Sequence, residues 1–261
     1  MGETPYREYP APHDLRRFVE CFWTIRTRVP EEERTTQLVL PDGCMDVIFD
    51  LGAPTKPRAT AVGTMTRPLP VEVVGSVHLF GARFRPAAAT AFLPLPARVL
   101  TDRVVPLDDL DGWRSEELAE RLGEARCDSE RVASLSEALR TRLDEGAGRI
   151  DPVVFRASEH LLTKGGRGRV DDLADWSGIG RRQLERRFLA AVGVSPKFAH
   201  RVARFREVVS LMHGPEPISL SCMAHVAGFA DQPHMTREFN ALAGVTPAAY
   251  RRSISPVHGV G

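Results

Sequence analysis

Along the first 110 residues, apolar positions fall in short runs or alternate with polar ones. Val19–Arg28, Gln37–Leu40, Met45–Leu51, Val71–Val74 and His78–Arg85 are such runs, and a period of two marks a half-buried strand. Pro30, Pro41-Asp42-Gly43, Gly52–Pro54 and Gly75-Ser76 separate them with turn chemistry. Pro86 then opens an Ala-rich stretch to Leu93, which predicts a small helix with Pro in its first turn. Many short strands with one small helix predict a β-barrel or sandwich with helical additions.

The pattern changes after residue 110. Ser115–Glu124 and Ser129–Asp144 are rich in Glu, Leu, Ala and Arg, and predict a helical hairpin with Ser115 and Ser129 as N-caps. Gly146-Ala147-Gly148 reads as a hinge. From residue 150 to 253 the period is helical throughout. Pro152–Thr163 places apolar residues at 153, 154, 157, 161 and 162, and Gly165-Gly166-Arg167-Gly168 follows it. Pro196–Met212 carries Phe198, Val202, Phe205, Val209 and Met212 at steps of three and four. Ser195 caps that helix and Gly214-Pro215 stops it.

The long helix lies between two copies of one segment. The first reads Leu173-Ala174-Asp175-Trp176-Ser177-Gly178-Ile179, then Leu184, Arg186, Phe188 and Gly193-Val194-Ser195-Pro196. The second reads Met223-Ala224-His225-Val226-Ala227-Gly228-Phe229, then Met235, Arg237, Phe239 and Gly244-Val245-Thr246-Pro247. The offset is 50 residues at the start and 51 at the end, so the second turn or helix start holds one extra residue. In each copy a small Ala lets two helices cross closely. A Gly ends the first helix, where a left-handed residue is needed. The second helix then turns apolar residues inward at i,i+4. Helix, short turn, helix is the plan of a helix-turn-helix. Its second helix is left with a polar outer face: Arg181, Arg182, Glu185 and Arg186 in the first copy, Gln232, His234, Thr236 and Arg237 in the second. Arg suits guanine, Gln suits adenine, and a helix fits the major groove.

Charge changes the picture only once it is divided. The 261 residues carry a formal charge of +1. Residues 150–253 hold 15 Lys and Arg against 10 Asp and Glu, a balance of +5, and the remainder stands at −4. A basic C-terminal part points to an anionic partner, double-stranded DNA above all. The start, Met1-Gly2-Glu3, has the form of no signal peptide. The longest uncharged stretch, Pro217–Ala230, is shorter than the ~18 residues of a membrane span. The expectation is a cytoplasmic protein without a membrane partner. The four scattered cysteines, Cys21, Cys44, Cys127 and Cys222, form no CxxC pair and read as small apolar residues, with redox sensing at Cys44 or Cys21 left open.

The second copy, Ile218…Ala224…Gly228-Phe229-Ala230-Asp231-Gln232…Arg237-Glu238-Phe239…Gly244-Val245-Thr246-Pro247…Tyr250-Arg251, resembles the signature of the AraC/XylS family of bacterial transcription regulators. The resemblance covers residues 150–253. It implies a seven-helix unit whose two helix-turn-helices read successive major grooves. The family's base-contacting positions fall on Arg182, Glu185 and Arg186, then on Gln232, His234 and Arg237. Phosphate contacts fall on Arg181 and Thr236. The chain departs from the family at Gly180, where Ser is frequent, and at Pro233, where a polar residue is common. Further upstream, Cys21-Phe22-Trp23, Leu40-Pro41-Asp42-Gly43-Cys44-Met45-Asp46 and Gly81-Ala82-Arg83-Phe84-Arg85-Pro86 resemble the amino-terminal domain of many AraC-like regulators, which implies a cupin-like unit that senses an effector or dimerises.

The expected fold is therefore α+β and multi-domain. A β-rich, cupin-like effector domain spans 1–110, a helical hairpin and linker 111–148, an all-α domain with two helix-turn-helices 149–253, and a tail 254–261. Trp23, Asp46, His78, Arg83 and Arg85 are the candidate effector pocket, with Arg83 and Arg85 on one strand face as an anion site. Trp113 and Trp176 read as core. His13, Cys21, Cys44 and His78 have no metal-ligand spacing, and no GxSxG, HExxH or phosphate loop occurs. No catalytic residue, metal or cofactor is assigned. The function expected is sequence-specific transcription regulation, controlled by a small effector or by homodimerisation, with RNA polymerase as partner if the protein activates. The alternatives are a metal-dependent or small-molecule cupin-like enzyme with an accessory DNA domain, and a protein-interaction scaffold.

Overall fold

The computed structural model describes residues 6–30, 34–52, 58–146, 148–214 and 218–254. The predicted turn at Gly52–Pro54, the hinge at Ala147, the stop at Pro215 and the tail beyond 254 run outside these residues. Two antiparallel sheets form the N-terminal part. The larger has the order β1 (Tyr6–Pro10), β2 (Val19–Val29), β7 (Gly75–Phe84), β4 (Met45–Asp50), β5 (Arg58–Val62) and β8 (Val104–Pro106). The smaller pairs β3 (Thr35–Val39) with β6 (Leu69–Val73). Strands β1, β5 and β8 are absent from the sequence expectation. The first is a polar edge, and β5 buries only Ala59 and Ala61, so neither carries a strong apolar signal.

Period two gives the large sheet two different faces. Phe22, Met45, Val47, Phe49, Phe80, Ala82 and Phe84 form one face and are all buried. The helical hairpin, α1 (Ser115–Glu124) and α2 (Asp128–Asp144), shares that core through Leu118, Leu122, Leu135 and Leu139. The expected caps are displaced. The Ser115 hydroxyl bonds the Asp108 carboxylate instead, and α2 begins after Cys127. Acidic residues then occupy both first turns, Glu116 and Glu117 in α1, Asp128 and Glu130 in α2, where they complement the helix dipole. The Pro86–Leu93 segment is not an α-helix. Ala87 takes φ 66°, which breaks the helix, and one 3-10 turn follows at Ala89–Ala91.

Among the described residues, seven helices make the C-terminal part: α3 (Pro152–Thr163), α4 (Val170–Ser177), α5 (Arg181–Val192), α6 (Pro196–Met212), α7 (Leu220–Val226), α8 (Gln232–Ala243) and α9 (Pro247–Ile254). Two cores divide them. One gathers Leu161, Leu173, Leu184 and Phe188, and takes Ala87 and Ala88 from the β-rich part. The other gathers Phe205, Met223, Met235 and Phe239, with Leu40 packed against it. Trp113 is buried as expected, its indole N–H donating to Phe92 O at 3.2 Å. Trp176 is not core: it is half exposed on α4, stacked 4.1 Å from the His160 ring.

Candidate nucleic-acid interface and effector cavity

The two copies fold as two helix-turn-helices. Gly178 (φ 68°) follows α4 and Gly228 (φ 77°) follows α7, both in the left-handed region that ends a helix most cheaply in glycine. Ala174 and Ala224 are buried at the helix crossings. Leu184 and Phe188 on α5, and Met235 and Phe239 on α8, turn fully inward. That leaves Arg182 and Arg186 exposed on α5, and Gln232 and Arg237 exposed on α8. None of these four has a hydrogen bond or ion pair among the described residues. Glu185, His234 and Thr236 are half-buried. Arg181 is not free: its guanidinium lies 3.1 Å from both Asp171 and Glu185. The His234 ring stands edge-on to Phe229 at 5.4 Å.

The helix starts differ. Gly180 caps α5 with no side-chain bond, whereas Asp231 caps α8 by accepting from His234 N at 2.6 Å. The extra residue of the second copy lies in its turn, since Gly178 stands two residues before its cap and Gly228 three. Between the units, Arg167 donates to Val226 O, and the Arg204 guanidinium sits 5.3 Å over the Phe229 ring. Gly166 makes this closeness possible, because a Cβ there would lie 2.4 Å from His200 O. The two reading helices are thus held by packed structure rather than by a loose tether.

A second site lies between the sheets of the N-terminal part. It is a cavity of about 510 Å³, within the range of small-molecule sites. The large sheet contributes its other face: Trp23, Ile25, Asp46, Ile48, Val62, Leu79 and Arg83. The small sheet contributes Leu38, Val39, Leu69 and Val71, all exposed large apolar residues. At one end Trp23 donates its indole N–H to Asp46 at 2.7 Å. The Arg83 guanidinium lies 3.1 Å from Asp42 and 3.4 Å from Asp46. Burial pushes the Asp46 carboxyl up to about 7, against the pull of Arg83.

Three of the five expected pocket residues, Trp23, Asp46 and Arg83, meet there. The other two do not. His78 has the opposite parity on β7, so its ring joins Arg26 at 3.0 Å on the hairpin side. Burial, then the Arg26 charge, lowers its pKa to about 4, which keeps it neutral. Arg85 lies past the strand end and donates to Arg16 O at 2.8 Å. The expected pair of arginines is not an anion site, because Arg85 is absent and Arg83 already faces two carboxylates. Asp42 escaped the sequence reading, since it sits in a turn that folds onto the strand register. Burial pushes the Cys44 thiol well above its usual value and that of Cys21 up to about 12; neither is a ready thiolate. Among the described residues no group of three or more His, Cys, Asp and Glu is placed to hold a metal, and no helix is long and apolar enough to cross a membrane.

A family model described as a helix-turn-helix domain matches residues 173–253. Another, described as a domain of unknown function (DUF6597), matches residues 7–106. The chain is similar to ToxT from Vibrio cholerae, with 12% identity and a TM-score of 0.54 over 88% of this chain and 98% of ToxT. At that identity the likeness is one of fold. It is also similar to a transcriptional regulator with an AraC-type DNA-binding domain from Chromobacterium violaceum, at 24% identity, 40% and 95% coverage and a TM-score of 0.37. The DNA-binding domain of AdpA, in complex with a target DNA, matches at 23% identity, 41% and 97% coverage and a TM-score of 0.38. No curated protein sequence matches the chain. The helix-turn-helix match spans both copies of the repeat. Residues 173–253 of this chain are a helix-turn-helix domain.

The cavity wall also approaches the C-terminal ends of both α5 and α8. The stretch from the end of β5 to the start of β6 lines the cavity with Gly63, Met65 and Leu69, the last being the first residue of β6. Between them, Thr64 donates to Val192 O at 2.6 Å, at the C-terminal end of α5. Pro68 lies where a Cβ on Gly244, at the end of α8, would be 3.4 Å away. Thr101 adds a bond to Gly193 O at 2.7 Å. Gly193 and Gly244 are equivalent positions of the repeat. A further link starts from the polar end of the cavity. Arg206, in the middle of α6, reaches Glu20 at 2.8 Å and Asp42 O at 3.2 Å. Burial alone would raise the Glu20 carboxyl, yet Arg206 and the Cys44 thiol hold it below the usual range.

Proposed function

We propose that α5 and α8 enter successive major grooves and that the cavity between the sheets binds the effector that controls this engagement. Arg182, Glu185 and Arg186 read bases in one groove, and Gln232, His234 and Arg237 in the next. Arg181 and Thr236 meet phosphate, Arg181 by giving up its exposed pair with Asp171. The single observation that supports this most is the matched pair Arg186 and Arg237. They occupy the same position of the repeat, both exposed and both without partners among the described residues. The regulatory unit runs to about residue 148 and includes the hairpin, whose apolar face is part of the β-rich core. A homodimer or RNA polymerase would therefore meet the hairpin's polar side. The reading assigns the chain no catalysis and a cytoplasmic place of action.

Control follows from the shared wall. A ligand that moves Met65 or Leu69 moves Thr64 and Pro68, and with them the ends of both reading helices. Such a ligand shifts the equilibrium only by its difference in affinity for the two arrangements. The test is selection of duplexes from a random library with the full chain, followed by a salt titration. The expected product is a site with two boxes about one helical turn apart. Its affinity should fall steeply as salt rises, because phosphate neutralisation releases counterions. Affinity that ignores both sequence and salt would favour the scaffold reading instead.

A further inference from the structure

The charge balance of the cavity is the opposite of what two arginines would give. Two carboxylates, Asp42 and Asp46, face one guanidinium, Arg83. When both are ionised they leave one negative charge unmatched. Asp50 lines the same cavity and adds to that sign. Arg206, which reaches Asp42 O at 3.2 Å, is already held by Glu20. An anionic ligand would meet net repulsion, and would bind only by displacing a carboxylate from Arg83.

The aromatic groups at that end have the same preference. The Tyr6 and Trp23 rings lie 6.2 Å apart, and ring faces attract cations. Trp23 is fixed in place. Its N–H is tied to Asp46, and its ring lies over Gly81, where a Cβ would stand 2.9 Å from Cζ2. Away from this end the walls are apolar, with Ile25, Ile48, Leu79 and Val71.

We propose that the effector is a lipophilic ammonium compound, with its cationic head at Asp46 and Asp42 beside Trp23 and Tyr6, and its apolar body between the two sheets. This rests on the reading of the cavity as the effector site. The cation takes the place of a proton at Asp46, which burial otherwise favours, and it completes the neutralisation that Arg83 leaves unfinished.

Three ligands with one twelve-carbon chain separate the possibilities: dodecyltrimethylammonium, dodecanoate and 1-dodecanol. They are titrated into the full chain by calorimetry below their micelle concentrations. The ammonium should bind at least about tenfold more tightly than the other two. Asp46→Asn should bring it down to the level of dodecanol and leave dodecanol itself unchanged. If that variant fails to bind the selected duplex and so has lost its fold, Asp42→Asn serves in its place. The quaternary head has no proton to lose, so pH dependence reports on the protein. Arg83, Asp42 and Glu20 act on Asp46, with Glu8 and Tyr6 beside Arg83 and Arg206 beside Glu20, and burial pushes the Asp46 carboxyl up to about 7. Ammonium affinity should fall from about pH 8 to about pH 6 as Asp46 takes its proton.

Ile48→Trp fills the cavity and should abolish binding of all three ligands. Equal or tighter binding of dodecanoate, itself blocked by Ile48→Trp, would overturn the ammonium proposal and leave the cavity as the effector site. No binding by any of the three, or binding that Ile48→Trp does not touch, would overturn both.

Discussion

The two helix-turn-helices share one frame and are loaded differently. Each turns a pair of apolar side chains inward, ends its first helix at glycine and shows one free arginine at the same place. Each also ties its second helix to the helix that precedes the helix-turn-helix, with the signs reversed. On α5 the base is Arg187, paired with Asp151 before α3. On α8 the acid is Glu238, paired with Arg201 on α6. The first unit presents three consecutive side chains of charge and amide, Arg181, Arg182 and Gln183, at an uncapped helix start. The second presents Gln232, Pro233 and His234 behind a carboxylate cap. The frame fixes where a helix sits, and the exposed set differs between the two. On the proposed reading the first head would hold DNA mainly by charge and the second by hydrogen-bond geometry.

The frames also differ in what supports them, and the largest expected effects test this. Phe188 belongs to a core that includes Ala87 and Ala88 of the β-rich part, whereas among the described residues of that part Leu40 alone packs against the core of Phe239. Phe188→Ala and Phe239→Ala should each cost about 3–5 kcal/mol. Hydrogen exchange should tell them apart. Phe188→Ala should loosen the β-rich part together with the first head. Phe239→Ala should loosen α7 to α9 and leave the sheet protected. Equal loosening of the sheet by both would mean that the cores are one cooperative unit.

Next in size is the matched arginine pair. Arg186→Ala and Arg237→Ala should each cost about 1–3 kcal/mol of duplex affinity at one base pair, with preference relaxed only there. The two positions should map to different boxes of the selected site. A loss spread evenly over all sequences would make them phosphate contacts. Arg181→Ala and Pro233→Ala mark the contrast between the heads: Arg181→Ala, which removes a proposed phosphate contact, should flatten the salt dependence by roughly one counterion, and Pro233→Ala should leave it unchanged.

Much of this organisation is legible in the sequence. The repeat carries its own register, so Leu184 with Phe188, and Met235 with Phe239, identify the inward faces without any knowledge of the fold. Alternation in Met45-Asp46-Val47-Ile48-Phe49-Asp50 separates a core face from a second face. What that second face meets is not local information. Asp46 finds Arg83 because β4 and β7 pair in one register, with these two residues opposite each other. Asp42 joins them through a turn, and Arg206 arrives from more than a hundred residues away. His78 shows the cost of choosing by residue type: one step in parity moves it to the hairpin side. Trp176 shows the same for helices, since spacing alone does not say which stripe of a short helix is covered.

The smallest effects concern the caps, and they join stability to function. Asp231→Ala removes the carboxylate that accepts from His234 N and should cost about 1 kcal/mol. At Gly180 the backbone is extended (φ −63°) and a Cβ would meet nothing within 4 Å, so a capping side chain fits. Gly180→Ser and Gly180→Asp should each stabilise the first head by a few tenths of a kcal/mol. Their effects on DNA should part. A helix start that faces phosphate holds it with free backbone N–H groups. The serine is neutral and leaves most of that field in place. The aspartate puts a negative charge where the phosphate would sit, and takes an N–H for itself. Melting should therefore rank the two variants together above the parent, while duplex affinity should fall for Gly180→Asp alone. If both variants kept full affinity, the start of α5 would not lie at the backbone, and the head would have to enter the groove by its middle, with Arg186 and not Arg182 leading.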